Sequence, residues 1–307
     1  ERGFERFDED CLLKRARCVS RKAGEELSRL REPFFLYLHY LDPHSGYDPP
    51  KPFRWKFIPP FAEPRWAARG NPLPVRKKLQ GENPDFTFQP EDVQKLAALY
   101  DAEIAYLDEE LGRLFADLKE RGLFERTIVI IAADHGEEFL EHGDMLHCGN
   151  VYDTSSKVPL FAHIPGVERK GTISGLANNL DLGPTLLDYL GLPIPAAMEG
   201  KSLRPLIERG EAVHGETFSL QGHWRSATDG QAKLVWNQRD DRFELFHLGK
   251  DPGEIKNVLT DDRRTFHRLR DALRRWLEAT EGAMGGEKSQ KIADESEQQL
   301  KALGYLQ

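Results

Sequence analysis

Thr127-Ile128-Val129-Ile130-Ile131-Ala132-Ala133-Asp134-His135-Gly136-Glu137 is a β-branched, apolar run that closes on a carboxylate and an imidazole. Short apolar runs rich in Ile and Val read as strands buried on both faces, the pattern of a mostly parallel sheet covered by helices. Two further runs share that character: Phe34-Phe35-Leu36-Tyr37-Leu38-His39-Tyr40-Leu41, which enters Asp42-Pro43-His44, and Val158 to Ile164. Ligands of open α/β sheets bind beyond the carboxyl ends of strands, so the polar residues past the first two runs are candidates by position alone. The expectation is three neighbouring strands of one sheet, with His44 and Asp134 at the same edge.

Helical spacing surrounds these runs. Val93, Leu96, Tyr100, Ile104, Leu107, Leu111, Leu114 and Leu118 repeat at three- and four-residue steps after Pro90, with Glu91 and Asp92 in the first turn and Gly122 past the end. Shorter helices are predicted from Cys11 to Leu30 and from Leu180 to Leu190. From about Gly215 the segments 224–228, 232–236 and 243–248 are separated by turn residues and read as an antiparallel meander, followed by a helix over 263–279. The fold class is therefore α/β, with a main α/β domain over 1–214, a small α+β subdomain over 215–280 and a polar tail over 281–307.

The 307 residues carry a net charge of −8, 39% hydrophobic residues, 17 Phe, 8 Tyr and 5 Trp. That excludes a disordered chain, and the acidic balance argues against nucleic acid as a partner. No apolar run reaches the roughly 20 residues of a bilayer span, so no membrane segment is expected. Three Cys cannot build a disulfide framework, and Cys11 and Cys18, placed on one helix, would lie about 10 Å apart and unbridged.

Residues 42–90 hold eleven of the 19 Pro and form a long irregular excursion, with Phe53, Trp55, Phe57, Phe61 and Trp66 arguing for a packed one. Between Asp48 and Phe88, eight basic residues (Lys51, Arg54, Lys56, Arg65, Arg69, Arg76, Lys77, Lys78) oppose four acidic ones. This is either a solvated face or an anion-attracting rim beside His44, with Trp55 or Trp66 as a stacking surface.

Asp134, His135, Glu137, Glu138, Glu141, His142, Asp144 and His147 fall within fourteen residues. An Asp-His pair leaving a strand can hold one divalent ion, and Gly136 lets the backbone turn sharply, although a bare Asp-His-Gly equally suits a surface turn. The density of carboxylates and imidazoles around it suits a cation or proton-transfer site. Of the carboxylates, Asp134 is read as fixed by the sheet and Glu138 as not. His163 reads as structural.

Pro33 to His44, Ala133-Asp134-His135-Gly136-Glu137, Glu141-His142-Gly143, His147, Tyr152-Asp153 and Lys157-Val158-Pro159-Leu160 together resemble the later motifs of the sulfatase family, within the alkaline phosphatase superfamily. Asp181-Leu182-Gly183-Pro184-Thr185, Gly200-Lys201-Ser202-Leu203, Glu244-Leu245-Phe246, Asp251-Pro252-Gly253-Glu254 and Leu300-Lys301-Ala302-Leu303-Gly304-Tyr305 are similar in order and spacing.

The resemblance implies an alkaline-phosphatase-like sandwich and hydrolysis of sulfuric esters, acting on an anionic small molecule or a glycan sulfate ester. It implies a divalent metal, Ca2+ before Mg2+ or Mn2+, with Asp134 and His135 among its ligands, and a formylglycine nucleophile. His44 and His147 match the residues at the sulfate or leaving-group oxygen, and His142 either contacts substrate or caps the turn before Gly143. The family's early Asp-Asp pair and Cys-x-Pro-Ser-Arg are absent here, and Cys18-Val19-Ser20-Arg21 lacks the Pro. The chain thus resembles the family's C-terminal two-thirds without the formylglycine. Alone it is expected to be inactive, to bind calcium weakly and to be poorly soluble. The alternatives are a phosphodiesterase or phosphonate monoester hydrolase of the same superfamily, and a non-catalytic binding protein derived from the fold.

Overall fold

A computed structural model of the chain describes residues 3–11, 15–57, 70–147 and 149–284. The chain divides into two compact units, Glu1–Gly171 and Thr172–Gln307. Phe61, Arg65, Trp66, Arg69 and the 300–305 segment singled out above lie outside the described residues.

In the first unit, helix α1 (Ala16–Leu27), the single turn α2 (Lys51–Arg54), α3 (Leu73–Leu79) and the long α4 (Pro90–Glu120) precede strand β1 (Val129–Ala132). The hairpin β2 (Glu138–Phe139) and β3 (Met145–Leu146), the turn α5 (Asp153–Ser156) and strand β4 (Leu160–His163) follow. The start of α4 obeys its sequence: Pro90 sits where an N–H would be orphaned, and the Asp92 carboxylate accepts the Gln89 N–H at 2.8 Å. Gly122, at φ +65°, ends it.

The packing of this unit centres on α4. Val93, Leu96 and Leu99 meet Tyr47, Val75, Met145 and Leu146 in one cluster. Further along, Leu114 and Leu118 meet Ala23 and Leu27 of α1, with Phe34, Leu36, Leu38 and Val129 packed against them.

Two expectations change here. The apolar run 34–41 joins no sheet. Its even residues pack on the α1/α4 cluster while Phe35 is 67% and Tyr37 63% exposed, so its alternation is that of a segment buried on one face. The other two runs do pair, but antiparallel, with Val129 opposite His163 and Ala132 opposite Leu160. A parallel return needs a long crossover, usually a helix, whereas the chain between β1 and β4 makes only a short hairpin and one helical turn.

The predicted Cys11–Leu30 helix begins only at Ala16, whose N–H donates to the Asp42 carboxylate at 2.7 Å. Cys11 therefore precedes the helix, its Cα lies 5.8 Å from that of Cys18, and the two form a disulfide. The expected separation held only for two positions on one helix.

The second unit contains α6 (Leu182–Tyr189), α7 (Arg204–Arg209), a four-stranded antiparallel meander and α8 (Arg263–Met284). The meander is β5 (Thr217–Gln221), β6 (Trp224–Thr228), β7 (Ala232–Asn237) and β8 (Arg242–His247). Gly230, at φ +84°, supplies the left-handed backbone of the β6–β7 turn. Phe266, Leu269 and Leu273 of α8 pack on Ala227, Leu234 and Leu245. Among the described residues, no helix is long and apolar enough to cross a membrane.

Candidate active site

β1 ends at Ala132, and Asp134-His135-Gly136-Glu137 leave it beside α5. The Gly136 N–H donates to the Ser155 carbonyl at 2.8 Å, and a Cβ on Gly136 would stand 2.1 Å from the Thr154 carbonyl oxygen. The close approach of two backbones thus requires glycine here.

Three imidazoles from three places in the sequence meet at this exit. The His135 and His147 rings stack with centroids 4.0 Å apart, and the His44 ring lies 5.0 Å from that of His147. Each has an acceptor at Nδ1: His44 donates to the Ser45 carbonyl at 2.9 Å, His135 to the Gly136 carbonyl at 2.8 Å, and His147 to Glu137 Oε1 at 3.0 Å. Carbonyls and carboxylates only accept, so in the neutral rings the proton sits on Nδ1 and the lone pair on Nε2.

Burial pushes the His44 imidazole below its ordinary value. The Ser45 carbonyl opposes this, His147 and His135 add to it, and Glu137 opposes it. Tyr47, fully buried, donates its hydroxyl to Glu137 Oε2 at 2.9 Å. Burial, with the Glu137 charge adding to it, pushes that hydroxyl well above the usual phenol range.

His142 is held by the next carboxylate. Its N–H donates to Glu138 Oε1 at 2.8 Å, and its ring stacks on Tyr152 with centroids 3.8 Å apart. Glu138 also accepts from the Asp144 N–H and the Asn150 amide and is 1% exposed. This corrects the reading of Glu138 as an unfixed acid: it clips the turn from β2 to Asn150 from inside. His163 stacks on Phe124 at 4.1 Å and bonds the Phe124 carbonyl.

The loop that carries His44 has its own anchor. Asp42 and Glu103, 5% and 2% exposed, flank the Arg15 guanidinium at 3.7 and 3.5 Å, and Glu103 accepts the Asp48 N–H at 2.7 Å. In the basic excursion, Arg54 pairs with Asp48 and Lys78 donates to the Pro84 carbonyl.

Asp134 Oδ1 lies 3.7 Å from His135 Nε2, close enough for both to touch one cation, and with Nδ1 on the Gly136 carbonyl the neutral ring carries its lone pair on that nitrogen. These two donors fit part of a metal sphere. Among the described residues no group of three or more His, Cys, Asp or Glu is placed to hold a metal.

Sequence reasoning singled out His44, His135 and His147 but missed Glu137 and Tyr47, the two residues behind His147. Glu137 was one of many acids in a dense stretch, and nothing local marked Tyr47 as the partner of a residue 90 positions away.

The chain matches the sulfatase family model over residues 19–192 and the N-sulphoglucosamine sulphohydrolase C-terminal model over 141–282. A protein solved in complex with its substrate D-glucosamine-2-N,6-O-disulfate superposes with TM-score 0.70 at 20% identity, over 86% of this chain and 69% of that one. A phosphonate monoester hydrolase from Silicibacter pomeroyi superposes with TM-score 0.67 at 24% identity, over 89% of this chain and 63% of that one. The fold is an alkaline-phosphatase-like α/β fold. Within that class, the chain belongs to the sulfatase family. An arylsulfatase of Clostridium perfringens is 28% identical over 250 residues, 75% of this chain and 50% of that protein. The chain thus spans about half the length of that relative.

Proposed function

We propose that the protein containing this chain hydrolyses sulfuric esters, and that this chain supplies the histidines at the ester together with two donors to a divalent metal. The observation that carries the reading is the convergence of His44, His135 and His147, each with Nδ1 on an oxygen acceptor, beside Asp134. Asp134 and His135 would hold the ion, calcium before magnesium or manganese; its chemistry there is to neutralise the anionic ester and the nucleophile's oxygen.

His44 and His147 present Nε2 lone pairs that take up a proton at the site; the imidazolium so formed then donates from Nε2 to the leaving oxygen or stabilises the charge developing on it. Burial favours the neutral form of His44, which carries a lone pair on Nε2. His142 is assigned to substrate contact, with its ring orientation set by Tyr152. The substrate class is an aryl or glycan sulfate, supported by the arylsulfatase relative and by the neighbour solved with a disulfated glucosamine. Trp55, 59% exposed next to Lys51 and Arg54, is the described stacking residue of the rim that would receive it.

The formylglycine nucleophile implied by the family is not among the described residues. Cys18 does not serve, because it is tied to Cys11. The sequence holds no Cys-x-Pro-Ser-Arg, so the 307 residues alone are expected to leave aryl sulfates unhydrolysed.

The test is a side-by-side assay of an aryl sulfate, an aryl phosphonate and a phosphodiester with the protein that contains this chain, and with its His147→Ala variant. A preference for the sulfate, lowered about 10²-fold or more in the variant, is expected. A preference for the phosphonate would favour the second reading, which the Silicibacter neighbour supports. No turnover of any ester would favour a binding protein.

A further inference from the structure

Of the three imidazoles at the site, His44 and His135 find their Nδ1 acceptors in backbone carbonyls one residue further along, Ser45 and Gly136. His147 instead donates to a side-chain carboxylate ten residues earlier in the chain, Glu137 Oε1 at 3.0 Å. That carboxylate is itself held: its Oε2 accepts the Tyr47 hydroxyl at 2.9 Å. The Glu137 and His147 side chains are 3% and 10% exposed, and Tyr47 is 0% exposed.

Tyr47 cannot readily let go. Its N–H donates to the Gly70 carbonyl at 2.8 Å, and a Cβ on Gly70 would stand 1.7 Å from the Tyr47 carbonyl oxygen. Its ring packs edge-on to Tyr100, with centroids 5.6 Å apart, and against Phe139 at 5.8 Å. The hydroxyl is thus aimed by a buried aromatic cluster, and Glu137 is gripped at both oxygens.

We propose that Glu137 is a positioning residue: clamped by Tyr47, it holds His147 as the Nδ1–H tautomer and so puts the lone pair of His147 on Nε2, on the ring stacked with His135. A carboxylate has acceptors and no donors, so it selects that tautomer, and its charge strengthens the bond. The arrangement repeats the logic of an oriented base, in which a buried third group sets which ring nitrogen meets the reacting atoms. Glu137 makes no contact with the ester in this scheme; it acts through His147. The inference rests on the reading of His147 as a residue at the ester, but its test does not.

The test is nuclear magnetic resonance of the full chain labelled with ¹⁵N-histidine, at a pH where the rings are neutral, with the His147 signals assigned by their loss in His147→Asn. A protonated Nδ1 and an unprotonated Nε2 are expected for His147. In Glu137→Gln, whose amide donates as well as accepts, the Nδ1–H share should fall from at least about nine-tenths to about one half. Tyr47→Phe keeps the carboxylate and should keep the tautomer. Should Glu137→Gln not fold, the unsubstituted chain and Tyr47→Phe carry the measurement. An Nε2–H or evenly mixed His147 in the unsubstituted chain, or an unchanged spectrum in Glu137→Gln, would overturn the inference. Ester turnover plays no part in this readout. An active sulfatase with an Nε2–H His147 would sink this inference alone, and an inactive protein with the Nδ1–H form would leave it standing.

Discussion

Glu103 is the buried acid whose protonation the fold most clearly alters: burial first, then the Asp42 charge, raises its pKa to about 7. An acid with a folded pKa above its unfolded value binds more protons when folded, so its contribution is present at low pH and lost as pH rises from about 4.5 to about 7. The loss is on the order of 3 kcal/mol at most. Melting temperatures measured across that window should fall with pH, and Glu103→Gln should flatten the dependence; an unchanged slope would remove Glu103 as its source. Glu138 behaves differently, because its carboxylate accepts from the His142 and Asp144 N–H groups and the Asn150 amide. Glu138→Gln replaces one acceptor oxygen by a donor facing these donors, and is expected to lower stability by about 1–3 kcal/mol in denaturant titration. The sequence marked the 134–147 stretch as rich in carboxylates and imidazoles. It could not say which acid faces solvent, which clips a turn and which holds a histidine, since those roles depend on partners brought in by packing.

At the scale of elements, the exit of β1 is held by backbone contact with α5. The Cβ of Gly136→Ala would meet the Thr154 carbonyl oxygen at 2.1 Å, so the strand exit and α5 must part. A loss of about 2–4 kcal/mol in stability is expected, together with a disturbed His135–His147 stack, visible as shifted ring resonances. A variant as stable as the parent would show that this approach is not needed. The helices α4 and α8 and the strands of the meander were legible because their periodicities run long and their ends carry Pro, Asp-Gly or Gly. The run 34–41 was not, because a nearly continuous apolar string fits both a strand buried on two faces and a segment packed on helices. The Cys11–Cys18 bridge was missed for a related reason: the apolar spacing extended the helix back over Cys11, while the Asp42 carboxylate starts it at Ala16.

For the molecule as a whole, each unit has its own core, and that of the second is local in sequence. Leu269, 0% exposed, sits between α8 and the sheet, and Leu269→Ala is expected to cost about 2–5 kcal/mol, read as faster hydrogen exchange of the β6–β8 amides. Exchange at the parent rate would mean that the cluster is not what holds the meander. By itself, the sequence determined the α/β class, the long helix, the meander and the family, because these rest on periodicity, turn residues and motifs written along the chain. It also placed His44, Asp134, His135 and His147 as candidates, because each follows an apolar run or stands at a motif position. Only the tertiary structure decided that His44 meets His147, that Glu137, clamped by Tyr47, holds His147, that β1 and β4 run antiparallel, and that the 34–41 run stands outside the sheet. The physical reason is that these relations join residues far apart in sequence, through hydrogen bonds and ring contacts whose partners become neighbours only when the α4 core closes.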